Sequence, residues 1–406
     1  MARGKSVIQV VVTGEASRLQ KAMRGAGSVL GGFAAVGLKA AAVTAQVGAA
    51  IGVAAVRQFA NFDAAMTQSL AIMGDVSDAM RKDMSDAARE VAKTTTFSAE
   101  QAAESYFFLA SAGLSAEQSI AALPQVAAFA QAGMFDLSQA TDLLTDAQSA
   151  LGLTSDDAAE NLANMARLSD VLVGANTLAN ASVEQFSESL TNKAGAALRV
   201  MGKDVEEGVA VLALFADQGV KGTDAGEKLS IMLRDVTRAA AANTDEFAAL
   251  GLQVFDADGN LRNMADVVDE FTRVLGPMSD AQMNATLDQL GLTRAVGDSI
   301  RLTLGGADAI REYEAALRDA GGTTADVAGK QLDTFNAELG LLRSAVGDVF
   351  LAIGERLLPV FSGMVSALQE NMPAIQAFID TLVTGFEVHV LPVIQQVADF
   401  IVNNVG

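Results

Sequence analysis

The stretch GVKGTDAGEKLSIMLRDV (219–236) has the composition of a phosphate cradle: Gly219, Gly222 and Gly226 lead into Lys228 and a helix-like run. A phosphate loop follows a β-strand and sets four residues between its first glycine and a Gly-Lys-Ser/Thr end. Backbone amides and the ammonium group then surround the phosphates. Here Gly222 and Gly226 have three residues between them, Glu227 intrudes before Lys228, and Leu229 stands where a hydroxyl would bind magnesium. The preceding VAVLALFADQ (209–218) reads as helix. The spacing predicts a corner between two helices. Gly219 ends the first, Thr223 or Asp224 caps the second, and Leu229, Met232, Leu233 and Val236 form its buried stripe.

The other residue types capable of chemistry are equally short of a pattern. DADGN (256–260) opens like a calcium loop, which needs glycine at its sixth position and glutamate at its twelfth. Those positions are Leu261 and Val267, so Asp258-Gly259 is read as a hairpin turn. The 49 acidic residues supply many carboxylates, but they gather near helix starts (SDDAAE, KDVEE, TDE), where they offset the helix dipole. His389 is the single histidine and there is no cysteine, which excludes disulfides, zinc ribbons, thiol catalysis and paired imidazoles. No catalytic, cofactor-binding or metal site is assigned, and the chain reads as a non-enzyme.

The elements that would have to position any such group are helical. Ser98, Ser115, Ser182 and Ser279 each stand three residues before a glutamine (Gln101, Gln118, Gln185, Gln282). That is the capping-box signature of a helix start. SAGLS (111–115), QAGMFD (131–136), ALGLTS (150–155) and QLGLT (289–293) place a glycine after an apolar run, as a helix stop does. Asp136 and Thr154 mark further starts. The result over 61–330 is an array of short antiparallel helices, interrupted by one two-stranded hairpin within 252–263.

This core is flanked by three other segments. Residues 1–28 are basic, with SVIQVVVTG (6–14) expected as a short strand. Residues 29–60 form an Ala/Gly-rich apolar helix, packed on protein or able to enter a membrane, with GAAIG (48–52) permitting close helix approach. From Lys330 apolar residues recur at Leu332, Phe335, Leu339, Leu342, Val346, Val349, Ile353, Leu357, Val360, Met364 and Leu368, a near-heptad seam. A second seam runs from Ile375 to Phe400. Pro359 is expected to kink the helix and Pro373 to end it. If helical throughout, 331–406 would extend on the order of 110 Å. Such a seam calls for partner helices, most simply copies of itself.

Net charge is −21, yet residues 1–57 carry seven basic side chains against one acid, so the remainder holds −27. An acidic body repels nucleic acid, and no specific nucleic-acid binding is expected.

Four pieces carry a resemblance to the core region of phage tail tape-measure proteins, over about residues 60–362. They are the helical run from FDAAMTQSLAIMG to AAFAQAG (62–133), ALRVMGKDVEEGVAVLALFADQGVKGTDAGEKLSIML (197–233), LGLQVFDADGNLRNMADVVDEF (250–271) and GERLLPVF (354–361). The resemblance implies an elongated helical protein, present in several copies inside the tail tube, whose length sets tube length. It implies ejection ahead of the DNA, with steps in the host cytoplasm during assembly and at the host envelope or membrane on infection. The implied partners are tail-tube protein, tail assembly chaperones and tail-tip proteins. Members of the family are often far longer than 406 residues. A rival reading is a membrane-active helical toxin or injected effector, resting on residues 29–56.

Overall fold

The computed structural model describes residues 41–370. The expected strand at 6–14, the start of the apolar helix, the second seam, Pro373 and His389 lie outside them. Seventeen helices follow in order among the described residues: α1 (Ala41–Met73), α2 (Asp78–Thr94), α3 (Ala99–Ser111), α4 (Ala116–Gly133), α5 (Leu137–Leu151), α6 (Ala158–Leu178), α7 (Val183–Ser189), α8 (Gly195–Val200), α9 (Val205–Asp217), α10 (Gly222–Ala242), α11 (Thr244–Ala249), α12 (Met264–Leu275), α13 (Asp280–Gln289), α14 (Arg294–Thr303), α15 (Ala307–Arg318), α16 (Thr323–Leu332) and α17 (Phe335–Glu370). A π-type turn, Leu190–Ala194, joins α7 to α8.

The local signals explain the segmentation. All four Ser-x-x-Gln boxes form reciprocally: Ser98, Ser115, Ser182 and Ser279 each accept from the glutamine's amide N–H, and each glutamine side chain accepts from the serine N–H. Removing the exposed Ser115 hydroxyl (Ser115→Ala) orphans an amide at the start of α4. It is expected to cost about 1 kcal/mol, read as a lower urea midpoint. The stops recur as one motif: Leu114 N donates to Leu109 O (3.1 Å), Leu153 N to Gln148 O (2.9 Å) and Leu292 N to Leu287 O (2.9 Å). Gly113, Gly152 and Gly291 supply the positive φ that each needs.

Several expectations fail for identifiable reasons. In QAGMFD the left-handed residue is Met134 (φ 55°), not Gly133. Gly133 serves close packing instead, since a Cβ there would lie 2.1 Å from the Phe135 ring, which stacks edge-on against Phe129. The helix expected from Thr154 starts at Ala158, capped by Asp157. Asn161 Oδ1 accepts from both Ser155 N (3.1 Å) and the Gln148 side chain (2.9 Å), which fixes 153–157 as a loop.

The β-hairpin does not form; among the described residues there is no strand, only an isolated antiparallel bridge, Phe255–Leu261. Asp256 Oδ1 accepts from the amides of Asp258 (2.9 Å) and Asn260 (2.8 Å), closing a tight turn. Arg262 N bonds Val254 O at 3.0 Å, and Asn263 then caps α12, so no residues remain to extend a ladder.

The contacts divide the described chain into two compact units, Asn61–Val349 and a second that combines 41–60 with 350–370. In the first, α3 packs on α2 and α5, α4 on α16, α9 on α15, and α10 on α7 and α14. Tyr106, fully buried on α3, donates to Met84 O at 2.9 Å. In the second, backbones approach closely: a Cβ at Gly354 would lie 2.3 Å from Ala55 O.

Helix α16 ends at Leu332, and Thr334 Oγ1 accepts from Ala337 N (3.2 Å), so the C-terminal seam begins after a break. The helix expected to kink at Pro359 continues through it to Glu370 as one element. Pro359 itself is exposed.

Candidate functional site

The glycine stretch is a corner built by backbone contact. Helix α9 is buried from Val205 to Ala216 and closes through Val220 N to Phe215 O (2.9 Å), with Gly219 at φ 85°. The next helix starts at Gly222 after Lys221, and no side chain caps it, so neither Thr223 nor Asp224 plays the expected role. Helix α10 begins there because Gly222 (φ 58°) and Gly226 let its first turn lie directly on the α7–α8 kink. A Cβ at Gly226 would meet Ser189 O at 2.2 Å and Asn192 O at 2.8 Å. Ser189 Oγ donates to Gly222 O (2.7 Å), Asn192 Nδ2 to Thr223 O (3.2 Å), and Lys193 Nζ pairs with Glu227 (2.8 Å). The kink holds Lys193 at φ 78°, a left-handed conformation costly for a side chain with a Cβ.

This arrangement is unsuited to phosphate. The Glu188 carboxylate lies 2.8 Å from where a Gly222 Cβ would be, placing an anion at the helix N-terminus. Burial and the neighbouring Glu184 push Glu188 above the usual carboxylate range, so further negative charge is disfavoured there. The buried stripe is as expected: Leu229, Met232, Leu233 and Val236 are all buried.

The Asp256 turn likewise has its own use for its carboxylate. Bonds from the Asn260 backbone, above all, hold Asp256 below its ordinary value. Other acids act as helix caps: Asp136 accepts from Ser138 N and Gln139 N, Asp157 from Ala159 N and Glu160 N, and Asp204 from Glu207 N.

One carboxylate cluster escaped the sequence reading. Asp204, Glu207 and Glu314 bring oxygen atoms within 4.8 Å of one another, a spacing that could hold a cation. Protein cations already sit among them. Lys203 Nζ lies 3.2 Å from Glu207 Oε1, and Arg318 Nη2 lies 2.8 Å from Asp204 Oδ2 and 2.7 Å from Glu314 Oε1. Met264 N donates to Glu207 Oε1 (2.6 Å) and Asn263 Nδ2 to Glu314 Oε2 (2.9 Å). The cluster therefore joins the start of α9 to α12 and α15 as an internal ion network. The Asp204/Glu207 spacing of three residues was visible; Glu314 enters only through the packing of α15 on α9.

No single helix among the described residues is long and apolar enough to cross a membrane; α4 and α5 pass only as a pair, bent by 109°. Both contribute to the core of the first unit, with Leu123, Phe129, Leu137 and Leu144 fully buried.

The family model for phage-related minor tail proteins matches residues 85–291, just over half of the chain. A tape measure protein of Pneumococcus phage Dp-1 is 25% identical over 261 residues, which is 64% of this chain and 22% of that protein. A probable tape measure protein of Escherichia phage P2 is 24% identical over 243 residues, 59% of this chain and 29% of that protein. The chain thus spans less than a third of the length of these relatives. No solved structure matches it. The matched region holds the capping-box helices, the glycine corner and the Asp256 turn, and the chain belongs to the phage tape-measure family, within the phage-related minor tail proteins.

Proposed function

We propose that this protein is a structural tail component that sets tail-tube length during assembly and leaves the tube ahead of the DNA on infection. The observation that carries the reading is the match to two proteins named as tape measures over about three fifths of the chain. The chemistry agrees with it. Among the described residues, Asp136, Asp157 and Asp204 cap helices, Asp256 closes a turn, and Glu207 and Glu314 sit in internal ion pairs. A chain of net charge −21, with −27 on the part after residue 57, does not retain DNA passing along the tube. In this reading the core is the folded part. The C-terminal helices supply reach and join copies of the chain, and tail-tube, chaperone and tail-tip proteins are the other partners. Residence is the tube lumen of the virion, after assembly in the host cytoplasm and before passage through the envelope.

The test is tail length. Deleting two heptads, 14 residues, from the C-terminal helices beyond residue 350 should shorten the mean tail by about 21 Å in electron micrographs, at 1.5 Å per helical residue. Tails of unchanged length on otherwise normal particles would refute the ruler role.

A further inference from the structure

Helix α17 turns its most apolar face away from the core. With Leu339 at heptad position a and Leu342 at d, the next a and d are Val346 and Val349. All four are 40–54% exposed. The f positions Ala337 and Ser344 are buried instead. That second face carries the docking: Ser344 Oγ donates to Phe97 O (3.3 Å), Gly340 lies close against Thr96, and Asp348 pairs with Arg89 at 2.5 Å. Small residues fasten the helix to its own core, and the large apolar ones are left over.

Charges flanking the seam say what fits on it. Glu338 occupies a g position and Arg343 the following e; both are exposed, and neither makes an ion pair within the described chain. In two parallel helices in register, a g side chain reaches the e side chain five residues on in the other helix. Glu338 of each copy then meets Arg343 of the other, twice by symmetry. An antiparallel pair sets g against g and e against e. It offers these charges no opposite sign, because the next g and e positions are Ala345 and Phe350.

We propose that α17 pairs with α17 of a second copy, parallel and in register. The seam is Leu339, Leu342, Val346 and Val349, and Glu338 of each copy bonds the partner's Arg343. This gives direction and register to the self-association in the reading above, and rests on it. Because docking and pairing use opposite faces, copies join while the core domain stays folded.

The absence of native cysteine allows a direct test in the full chain. Under mild oxidation V346C should form a disulfide-linked dimer in high yield, since equivalent a positions face each other. A mixture of L339C and V349C chains should give no mixed dimer, because those positions lie about 15 Å apart along parallel helices. In sedimentation equilibrium, E338R or R343E alone should weaken the dimer roughly tenfold, and E338R/R343E should restore it. These sites are exposed, and circular dichroism confirms that each variant is folded. A monomer at every concentration overturns self-association. A dimer that crosslinks L339C to V349C, or that the double exchange fails to restore, overturns the parallel register while leaving self-association and the tail-length test standing.

Discussion

Gly226→Ala should lower the unfolding free energy of the core by about 3 kcal/mol, the upper end for overpacking, and its melting temperature by on the order of 10 °C. The added methyl would lie 2.2 Å from Ser189 O and 2.8 Å from Asn192 O. Both contacts are backbone, so no rotamer change relieves them. Either α10 lifts from the kink, breaking the Ser189–Gly222 and Asn192–Thr223 bonds, or the kink itself moves, and its Lys193 is already strained. Gly219→Ala is the internal comparison: φ is 85° there, but nothing lies within 4 Å of the new Cβ. Only the backbone cost remains, about 1 kcal/mol. Lys228→Met should stay within about 0.5 kcal/mol of the parent. A phosphate site would reverse the order, leaving stability alone and making Lys228 the sensitive position for nucleotide binding. Differential scanning calorimetry of the three variants decides between them, and a Gly226→Ala protein that melts like the parent would remove the corner as an explanation of the motif.

What was legible in the sequence was what short spacing determines. A serine and a glutamine three apart can satisfy each other at a helix start. The four pairs that follow a helix stop or loop and were read that way, Ser98/Gln101, Ser115/Gln118, Ser182/Gln185 and Ser279/Gln282, do so. The same spacing at Ser366 and Gln369 falls inside α17. Glycines 113, 152 and 291 end helices because the left-handed conformation is a local requirement. The failures are tertiary overrides. Met134 takes the left-handed position because Gly133 is spent on room for Phe135. The hairpin shrinks to one bridge because the Asp256 carboxylate organises the turn and α12 begins immediately afterwards. Helix α16 is capped by Asp170, whose carboxylate accepts from Gly322 N (2.7 Å) and Thr324 N (2.9 Å), and no local pattern announces a cap 152 residues away. The near-heptad seam was legible as a period but not in its orientation. Only the fold reveals that the seam faces outward while Ala337 and Ser344 hold the helix down. The carboxylate cluster was illegible for the same reason as the Asp170 cap: its third member comes from a helix more than a hundred residues on.

Lys203→Met should be the other severe substitution, costing about 3–5 kcal/mol at neutral pH, the range for breaking a buried ion pair from one side. Lys203 and Glu207 are 8% and 7% exposed, and Lys203 also donates to Arg262 O at 2.8 Å. Methionine keeps the length and apolar stem of the side chain but leaves Glu207 buried without its cation. Burial already pushes Glu207 above its ordinary value of 4.5, opposed by the Met264 amide and by Lys203, with Glu314 adding to the rise. Removing Lys203 takes away one of those opposing influences, and the folded-state value climbs further. A carboxyl that holds its proton more tightly folded than unfolded stabilises the fold at low pH. That stability is lost as pH rises from the unfolded value through the folded one. The gap in melting temperature between parent and variant should therefore be wider at pH 7 than at pH 5, narrowing as falling pH protonates Glu207. Asp204 and Glu314 keep Arg318 at 2.8 and 2.7 Å in both proteins, so their contribution largely cancels in the comparison. Adding Glu207→Gln removes the stranded charge while retaining an oxygen for Met264 N, and the double variant should regain most of the loss at pH 7. A gap that is the same at both pH values, or a double variant no more stable than Lys203→Met alone, would mean that lost packing, not an uncompensated charge, sets the cost.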